Sequence, residues 1–307
     1  MTRRVIVTGA TGMLGRPLCQ KLLQRGDEVV VFSRNADSAR RAFPQASAHV
    51  TWSYTPGDWS DEFERADAII NLAGASLADK RWTAAYKREI VASREAGTRS
   101  LVEAAGRATR RPRVFISASG TDYYGDCGDA PVTEETPPGT GFLPDVCVAW
   151  EREARRAEEY GIRTAIMRTG IVLASHGGAL ERLLPIFRLG LGGPFLPGTQ
   201  WWSWVHIDDV IGLFLRALDD EAAHGPINVT APNPVRNRNF AFLLGRVLHR
   251  PAIFPIPRFA VEIIAGEMAG PALFEKQRAL PHAAQALGYQ FRFPELEPAL
   301  RDIVAQP

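Results

Sequence analysis

Two hydrophobic periodicities alternate over the first 170 residues, and this alternation constrains the fold more than any other feature. Short, nearly continuous apolar runs typical of buried strands occupy residues 4–8, 28–32, 49–52, 67–71, 114–116 and 164–167. Segments with apolar residues at helical spacing lie between them, at residues 14–23, 84–105 and 147–160. Strands that alternate with helices predict an α/β fold with a doubly wound parallel sheet, covered by helices on both faces.

The pattern changes after residue 170, where glycine and proline cluster between Gly190 and Gly198. Helices are predicted at residues 209–218 and 240–248, followed by a proline-punctuated, mostly helical tail at 250–307. A chain of 307 residues has room for about two domains of roughly 150 residues each. We predict a nucleotide-binding domain over 1–170 and a smaller, mostly helical substrate-side domain over 171–307. Elements up to about residue 230 can still return to the sheet.

Composition narrows the possible partners. The net charge is +2, so no strong positive field favours nucleic acid or an anionic membrane, and a small-molecule substrate is expected. The three cysteines have no C-x-x-C spacing and no histidine pair has ligand spacing, so neither a disulfide framework nor a metal site is predicted. No apolar run approaches the roughly 18 residues of a membrane span, and the N-terminus lacks a signal-peptide pattern, so we predict a cytoplasmic protein.

A glycine-rich segment, Thr8–Gly15, stands between the first predicted strand and the first predicted helix. Gly9 permits a tight turn, Gly12 lets the backbone approach a pyrophosphate, and Gly15 lets the helix pack on the strand. The positive end of the helix then receives the phosphates. This context predicts a Rossmann dinucleotide site, the alternative being a glycine-rich turn without a ligand.

The second strand indicates which nucleotide binds. An NAD site usually ends this strand with an acidic residue that binds the ribose hydroxyls. Here the strand ends in Ser33-Arg34, and a guanidinium suits a 2′-phosphate. The sequence therefore favours NADP(H) over NAD(H), unless Arg34 is simply a solvated surface residue.

Together with this loop, Asn71–Gly74 and Trp204–Asp209 resemble the extended short-chain dehydrogenases/reductases. More narrowly, the chain resembles an atypical branch, the YfcH-like "epimerase family protein" group, which carries a C-terminal domain of unknown function. The narrower resemblance rests on Lys80–Trp82, Tyr123–Gly125, Arg168–Leu173, Arg188–Pro194, Gly266–Met268, Gln277–Pro281 and Gly288–Phe291. It covers essentially the whole chain, marks the tail as family-specific, and implies a monomer or a homodimer.

The resemblance also implies residues that contact NADP(H). These are Gly9, Thr11, Gly12, Met13, Leu14, Ser33, Arg34, Leu72, Ala73, Gly74, Arg81, Ser117, Thr169 and Gly170. The Asn71–Gly74 turn would lie beside the cofactor ribose, Arg81 near the phosphates or the site mouth, and Thr169–Val172 near the nicotinamide.

The proton relay of short-chain dehydrogenases, Tyr-x-x-x-Lys, is absent. No tyrosine has a lysine four residues later, and no lysine occurs between Lys87 and Lys276. The resemblance implies that the segment Phe142–Val146 is the counterpart of the relay. The relay normally lowers the pKa of the tyrosine so that it can exchange a proton near neutral pH. Another group must do this work if the protein is an enzyme.

Substitutes for the relay follow the fifth strand. Ser119 matches the position of the usual hydroxyl, and Tyr123 and Tyr124 carry phenols, so these three are the catalytic candidates. The carboxylates considered are Asp122, Asp145 and Glu151. For every candidate a structural role is the alternative, and Glu151 is expected to be a solvated helix residue. His206 is expected to make a structural hydrogen bond.

Three tryptophans, Trp201, Trp202 and Trp204, crowd a short stretch after the Gly/Pro-rich loop. They could form an apolar wall for a substrate ring or simply pack in a core. Two function hypotheses follow. The first is an NADP(H)-dependent oxidoreductase, or an epimerase that works through transient oxidation; the second is a non-catalytic NADP(H) sensor. The sequence favours the enzyme.

Overall fold

The computed structural model describes residues 2–55 and 57–305. Its strands are β1 (Arg4–Thr8), β2 (Glu28–Ser33), β3 (Ala48–Thr51), β4 (Ala68–Asn71), β5 (Val114–Gly120), β6 (Pro131–Val132), β7 (Arg163–Thr169), β8 (Ile171–Leu173), β9 (Trp201–Trp202), β10 (Trp204–His206), β11 (Gly225–Val229), β12 (Val235–Arg236) and β13 (Arg278–Ala279). Its α-helices are α1 (Gly15–Gln24), α2 (Ala36–Ala42), α3 (Ala84–Arg107), α4 (Phe142–Arg155), α5 (Gly178–Arg188), α6 (Ile207–Asp219), α7 (Asn237–Val247), α8 (Arg258–Ala265), α9 (His282–Ala286) and α10 (Leu296–Ala305).

Seven strands form one parallel sheet in the order β11-β7-β5-β4-β1-β2-β3. From β1 the chain builds outward through β2 and β3, and then crosses back to β4 and builds in the other direction. The direction therefore reverses between β1 and β4. Open parallel sheets bind ligands at such a reversal, outside the carboxyl ends of the strands. The predicted fold class, a doubly wound α/β sheet, is confirmed.

Both faces of the sheet are covered, as the apolar strands predict. Val5 and Val7 of β1 pack in the core that contains α1 and α6, whereas Ile6 between them packs in the core that contains residues of α3. Successive strand residues point to opposite faces, so an unbroken apolar strand needs helices on each side. A separate core joins α5, α7 and α10 in the C-terminal half.

One helix begins earlier than predicted. Helix α4 begins at Phe142 rather than at residue 147, because Pro144 sits in its first turn, where a missing N–H costs nothing. Short 3₁₀ turns follow at Arg156–Tyr160 and, after β5, at Thr121–Tyr124. Strand β11 pairs with β7, so residues 225–229 belong to the central sheet.

The C-terminal segment returns to the carboxyl edge of the sheet. A 3₁₀ turn at Gly266–Met268 and a π-helical turn at Gly270–Phe274 precede β13, which pairs with β6. Within the described residues, no helix combines the length and the apolar character needed to cross a membrane.

Candidate functional site

The glycine loop adopts a conformation that only glycine satisfies at two positions. Gly9 has a φ of +66°, and a Cβ added there would lie 2.8 Å from the carbonyl carbon of Leu72. A Cβ added at Gly15 would lie 2.2 Å from the carbonyl oxygen of Gly9. The N–H of Gly12 donates to the carbonyl oxygen of Gly9 at 3.0 Å and closes the turn. The loop therefore brings bare backbone to the start of α1.

A groove of about 460 Å³ opens over β1, β2 and β4 beside this loop. It is lined by residues 9–12 of the loop, residues 32–35 at the end of β2, residues 72–75 after β4, residues Ser38, Trp52 and Tyr54, and Glu89, Ala92 and Ser93 of α3. It brings together eight of the residues predicted to bind the cofactor: Gly9, Thr11, Gly12, Ser33, Arg34, Leu72, Ala73 and Gly74.

Buried neutral hydrogen bonds hold the wall of the groove. The Thr8 hydroxyl accepts from the N–H groups of Leu72 and Ala73 at 3.1 and 3.2 Å, and donates to Asn71 Oδ1 at 2.7 Å. Asn71 Nδ2 donates to Thr98 Oγ1 of α3 at 2.9 Å. The turn after β4 is thus fixed to the end of β1, where a dinucleotide would need it.

The sequence reasoning missed the aromatic end of the groove. Trp52 and Tyr54 form an edge-to-face pair with ring centroids 5.4 Å apart, just beyond β3. The signal was available, because β3 follows β2 in the sheet and the residues after it must lie beside the end of β2. Burial raises the pKa of the Tyr54 phenol, and the nearby positive charge of Arg34 opposes part of that rise.

A second space, a cavity of about 120 Å³, lies beyond the ends of β5 and β7. Its walls are residues 121–122 after β5, residues 169–171 after β7, residues 201–203, Leu77, and Pro271, Leu273, Glu275 and Gln277 of the C-terminal segment. Because these strands run parallel to β1 and β4, the cavity and the groove open at the same edge of the sheet. Thr169, Gly170, Trp201 and Trp202, all singled out from the sequence, meet here.

The three catalytic candidates lie in a buried polar network. Ser119 donates to Glu151 Oε1 at 2.8 Å, and Glu151 receives Nε and Nη2 of Arg168, both at 2.8 Å. The Tyr124 hydroxyl donates to Asn228 Oδ1 at 2.7 Å and accepts from Arg168 Nη1 at 3.1 Å. The expectation that Glu151 is solvated is wrong, since its side chain is 4% exposed and paired with a β7 arginine that is 2% exposed.

This network gives the candidates structural partners. Burial raises the pKa of Tyr124 to about 12, the opposite of what proton exchange near neutral pH requires. The Tyr123 ring lies over the Arg168 guanidinium, 3.4 Å from ring centroid to Cζ. Among the described residues that line the groove and the cavity, Ser119, Tyr123 and Tyr124 do not occur.

Other predicted contacts lie outside both spaces. Met13 and Leu14 are partly buried and pack against the core beneath α1. Arg81 Nη2 donates to the Ile263 carbonyl at 2.9 Å, and Ser117 is buried and donates to the neighbouring Ala118 carbonyl. Trp204 belongs to the C-terminal core rather than to a substrate wall, because it is fully buried and donates to the Asn233 carbonyl at 3.0 Å.

His206 makes the structural hydrogen bond expected of it. Its Nδ1 accepts the Asp208 N–H at 3.1 Å and caps α6, while Nε2 lies 3.3 Å from Asp302 Oδ2. Burial lowers its pKa. Across the described parts of the chain, no group of three or more His, Cys, Asp or Glu side chains is placed to hold a metal ion.

Comparison with known proteins agrees with this geometry. The profile of the NAD dependent epimerase/dehydratase family matches residues 5–230, and that of a domain of unknown function, DUF1731, matches residues 256–303. The chain belongs to the NAD dependent epimerase/dehydratase family. It is 37% identical over 302 residues to the Arabidopsis thaliana epimerase family protein SDR39U1 homolog, chloroplastic, covering 98% of this chain and 86% of that one.

Two solved structures are similar to this chain to different degrees. Human epimerase family protein SDR39U1 (isoform 2), determined with NADPH, is 33% identical with a TM-score of 0.86, over 99% of this chain and 100% of that one. UDP-glucuronic acid 4-epimerase from Bacillus cereus, determined with UDP-glucuronic acid and NAD, has a TM-score of 0.77 over 99% of each chain. At 19% identity, the second structure shows the shared fold only.

Proposed function

We propose that this protein binds NADP(H) in the groove and acts as an oxidoreductase, or as an epimerase-like enzyme, on a small molecule in the cavity. The observation that carries the proposal is the pairing of the glycine loop with Ser33 and Arg34 in one groove. The strand β2 ends without an acidic residue, so the usual partner of an NAD ribose is missing and a guanidinium stands in its place.

The residues present fit such a cofactor. Side chains at Gly9 and Gly15 would collide with the chain's own backbone, so these glycines permit the tight turn that leads into the N-terminus of α1, where a pyrophosphate would bind. The exposed Arg34 suits the 2′-phosphate, and Trp52 and Tyr54 offer aromatic surface at the same end. The human relative determined with NADPH supports the assignment.

Different residues of the chain would bind the different parts of the cofactor and the substrate. The glycine loop would bind the pyrophosphate, and Ser33 with Arg34 would select the phosphorylated ribose. Thr169 and Gly170 would hold the nicotinamide end at the boundary of the cavity, whose tryptophans exclude water from a bound substrate. The bound nicotinamide would supply hydride chemistry.

A non-catalytic NADP(H) sensor is the second candidate. The observation that favours it is helix α4, which carries neither a tyrosine nor a lysine where relatives with the relay carry both. The cavity favours the enzyme, because it places polar groups next to an apolar wall beside the groove.

We infer a cytoplasmic protein that takes a small-molecule substrate, as a monomer or a homodimer, and needs neither nucleic acid nor a membrane. The name of the Arabidopsis thaliana relative places that protein in the chloroplast.

Isothermal titration of the purified protein with NADPH and then with NADH tests the proposal. We expect NADPH to bind at least about 10-fold more tightly, because only NADPH offers a phosphate to Arg34. Equal affinities would contradict the phosphate assignment. Failure to bind either nucleotide would contradict both the enzyme and the sensor.

A further inference from the structure

We propose that Asp122 and Glu275 form a proton-sharing carboxyl pair that replaces the tyrosine–lysine relay, and that the substrate is a compact carbonyl or alcohol without a phosphate. This inference rests on the proposed function and deepens it. It also gives a chemical role to the C-terminal domain of unknown function, since Glu275 belongs to that domain.

Asp122 occupies a position suited to proton transfer. It follows β5 directly and lines the cavity together with Thr169 and Gly170, which follow β7. A Cβ at Gly120 would lie 2.9 Å from Asp122 Oδ2, so this glycine makes room for the carboxylate. A reacting carbon held between the groove and the cavity would therefore lie near this carboxyl group.

Arg94 links Asp122 to the groove. Its Nη1 donates to the Ala75 carbonyl at 3.0 Å, and a Cβ at Gly74 would lie 3.1 Å from its Cζ, so the guanidinium is packed against the groove wall. Its positive charge acts on Asp122 and lowers the pKa of that carboxyl, against a larger effect of burial. The arrangement parallels a relay in which a fixed cation adjusts a proton-exchanging group.

Glu275 faces the same cavity from the C-terminal segment. Its N–H donates to the Gly270 carbonyl at 3.2 Å, which ties the residue to the preceding π-helical turn. Its Oε2 is buried and has no hydrogen-bond partner among the described residues. A buried carboxyl oxygen without a donor is costly unless a proton or a ligand satisfies it.

Gln277 gives an independent indication of a ligand. It lines the cavity and is only 9% exposed, and no hydrogen bond joins its side-chain amide to another described residue. The amide atoms are not among the fully buried polar atoms, so they face the open space of the cavity. A bound molecule with a hydroxyl or carbonyl group would find a free donor and a free acceptor there.

The charges around the pair favour one shared proton. Burial raises the pKa of Asp122 to about 6 and that of Glu275 to about 7, and the charge of Asp122 adds to the effect on Glu275. Asp122 also interacts electrostatically with the Arg94 guanidinium and the Cys147 thiol. Glu275 also interacts electrostatically with the Asp126 carboxylate and the Cys127 thiol. Two carboxyl groups that face one cavity disfavour double ionisation, so one of them keeps its proton closer to neutral pH.

The proposed step balances. A substrate carbonyl carbon accepts a hydride, with its electron pair, from the reduced nicotinamide, and the carbonyl oxygen takes the proton of the carboxyl pair. The products are an alcohol, the oxidised nicotinamide and a carboxylate that regains its proton from water. In the reverse direction the carboxylate removes the hydroxyl proton as the hydride leaves.

The same carboxyl groups restrict the substrate. None of the described residues that line the cavity is a lysine or an arginine, so a phosphate there would meet two carboxyl groups and no lining cation. The cavity holds about 120 Å³, well below the roughly 300 Å³ of a typical drug-sized site. Trp201 and Trp202 add an apolar wall, so the pattern fits a compact, uncharged reacting group.

Infrared spectroscopy of the free protein between pH 5 and pH 8 tests the shared proton without cofactor or substrate. We expect a protonated-carboxyl C=O band that persists to about pH 7 in the wild type. In Asp122→Asn the band from Glu275 should disappear at a lower pH, and in Glu275→Gln the band from Asp122 should do so as well. The control is Glu262→Gln, because Glu262 is an exposed residue of α8 that pairs with Arg258 and does not line the cavity.

Two outcomes overturn the pair. The first is a wild type without a protonated-carboxyl band above pH 6, and the second is a band whose pH dependence is the same in both variants as in the wild type.

Thermal unfolding gives a check on folding. A raised carboxyl pKa contributes stability that is complete below the ordinary value of 4.5 and is lost as the pH rises to about 7, so Glu275→Gln should raise Tm relative to the wild type much more at pH 8 than at pH 5.

NADPH titration separates this inference from the proposed function. Both variants should bind NADPH within twofold of the wild type, because neither residue lines the groove.

NADPH oxidation is then followed with neutral aldehydes and ketones and with matched sugar phosphates. The neutral compounds should react faster than the phosphates. Each variant should lose about 10²- to 10⁴-fold in kcat. Faster reaction of the phosphates overturns the substrate class. An NADPH-binding protein that reduces neither set overturns the catalytic role.

Discussion

The groove over β1, β2 and β4 and the cavity over β5 and β7 share one edge of the sheet but are built differently. Backbone turns and neutral hydrogen bonds hold the groove, as at Gly9 and in the Thr8–Asn71 pair. The region of the cavity depends on a buried ion pair, Arg168 with Glu151, joined by Ser119 and Tyr124. Recognition of a nucleotide needs fixed backbone, whereas the buried charges of Arg168 and Glu151 are tolerated because each is paired with the other.

The largest effect is expected from Arg168→Met, which removes one partner of the buried ion pair. Glu151 would keep only the Ser119 hydroxyl of the contacts described above, and an uncompensated buried charge costs about 3–5 kcal/mol. Urea unfolding at pH 7 measures the loss. The double variant Arg168→Met/Glu151→Leu should recover most of it, because two apolar residues can replace a buried pair at little cost. If the free energy of unfolding of the single variant falls by less than about 1 kcal/mol, the region of the cavity does not depend on this ion pair.

Thr98→Val tests the neutral hydrogen bonds that hold the wall of the groove. It leaves Asn71 Nδ2 without its acceptor in a fully buried position, which costs about 1–3 kcal/mol. Thr98→Ser keeps the hydroxyl and should stay within about 0.5–1.5 kcal/mol of the wild type in the same urea experiment. If both variants lose equal stability, the effect comes from packing and not from the hydrogen bond.

Arg34→Ala sharpens the description of the groove. Loss of charge-assisted hydrogen bonds to a phosphate costs about 1.5–3 kcal/mol, so NADPH affinity should fall about 10- to 100-fold while NADH affinity stays constant. Arg40→Ala is the matched control, since Arg40 is exposed on α2, pairs with Asp37 and does not line the groove. Calorimetric titration of both variants with both nucleotides measures the difference. A parallel loss of NADPH and NADH affinity would place Arg34 elsewhere than on the 2′-phosphate.

The same contrast explains what the sequence could reveal. The groove is built from consecutive residues at the ends of strands, so the positions of Gly9, Ser33 and Gly74 follow from short motifs and from the strand pattern. The cavity joins segments more than 100 residues apart, and no local periodicity signals that Glu275 lines the same cavity as Asp122. Glu151 was misassigned for a similar reason, because its partner lies on β7 and a helix pattern alone cannot show that pairing.

The smallest expected effect distinguishes the two tyrosines. Tyr124→Phe removes hydrogen bonds to Asn228 and Arg168 and should cost about 1 kcal/mol of stability, while Tyr123→Phe keeps the ring over Arg168 and should change stability by less than about 0.5 kcal/mol. Neither variant should alter the pH profile of NADPH oxidation, because neither phenol reaches the cavity. A shifted pH profile in Tyr124→Phe would return proton transfer to the buried network. An unchanged pH profile in Tyr124→Phe, together with a shifted profile in Asp122→Asn, would place proton transfer in the cavity. The buried network would then have a structural role only.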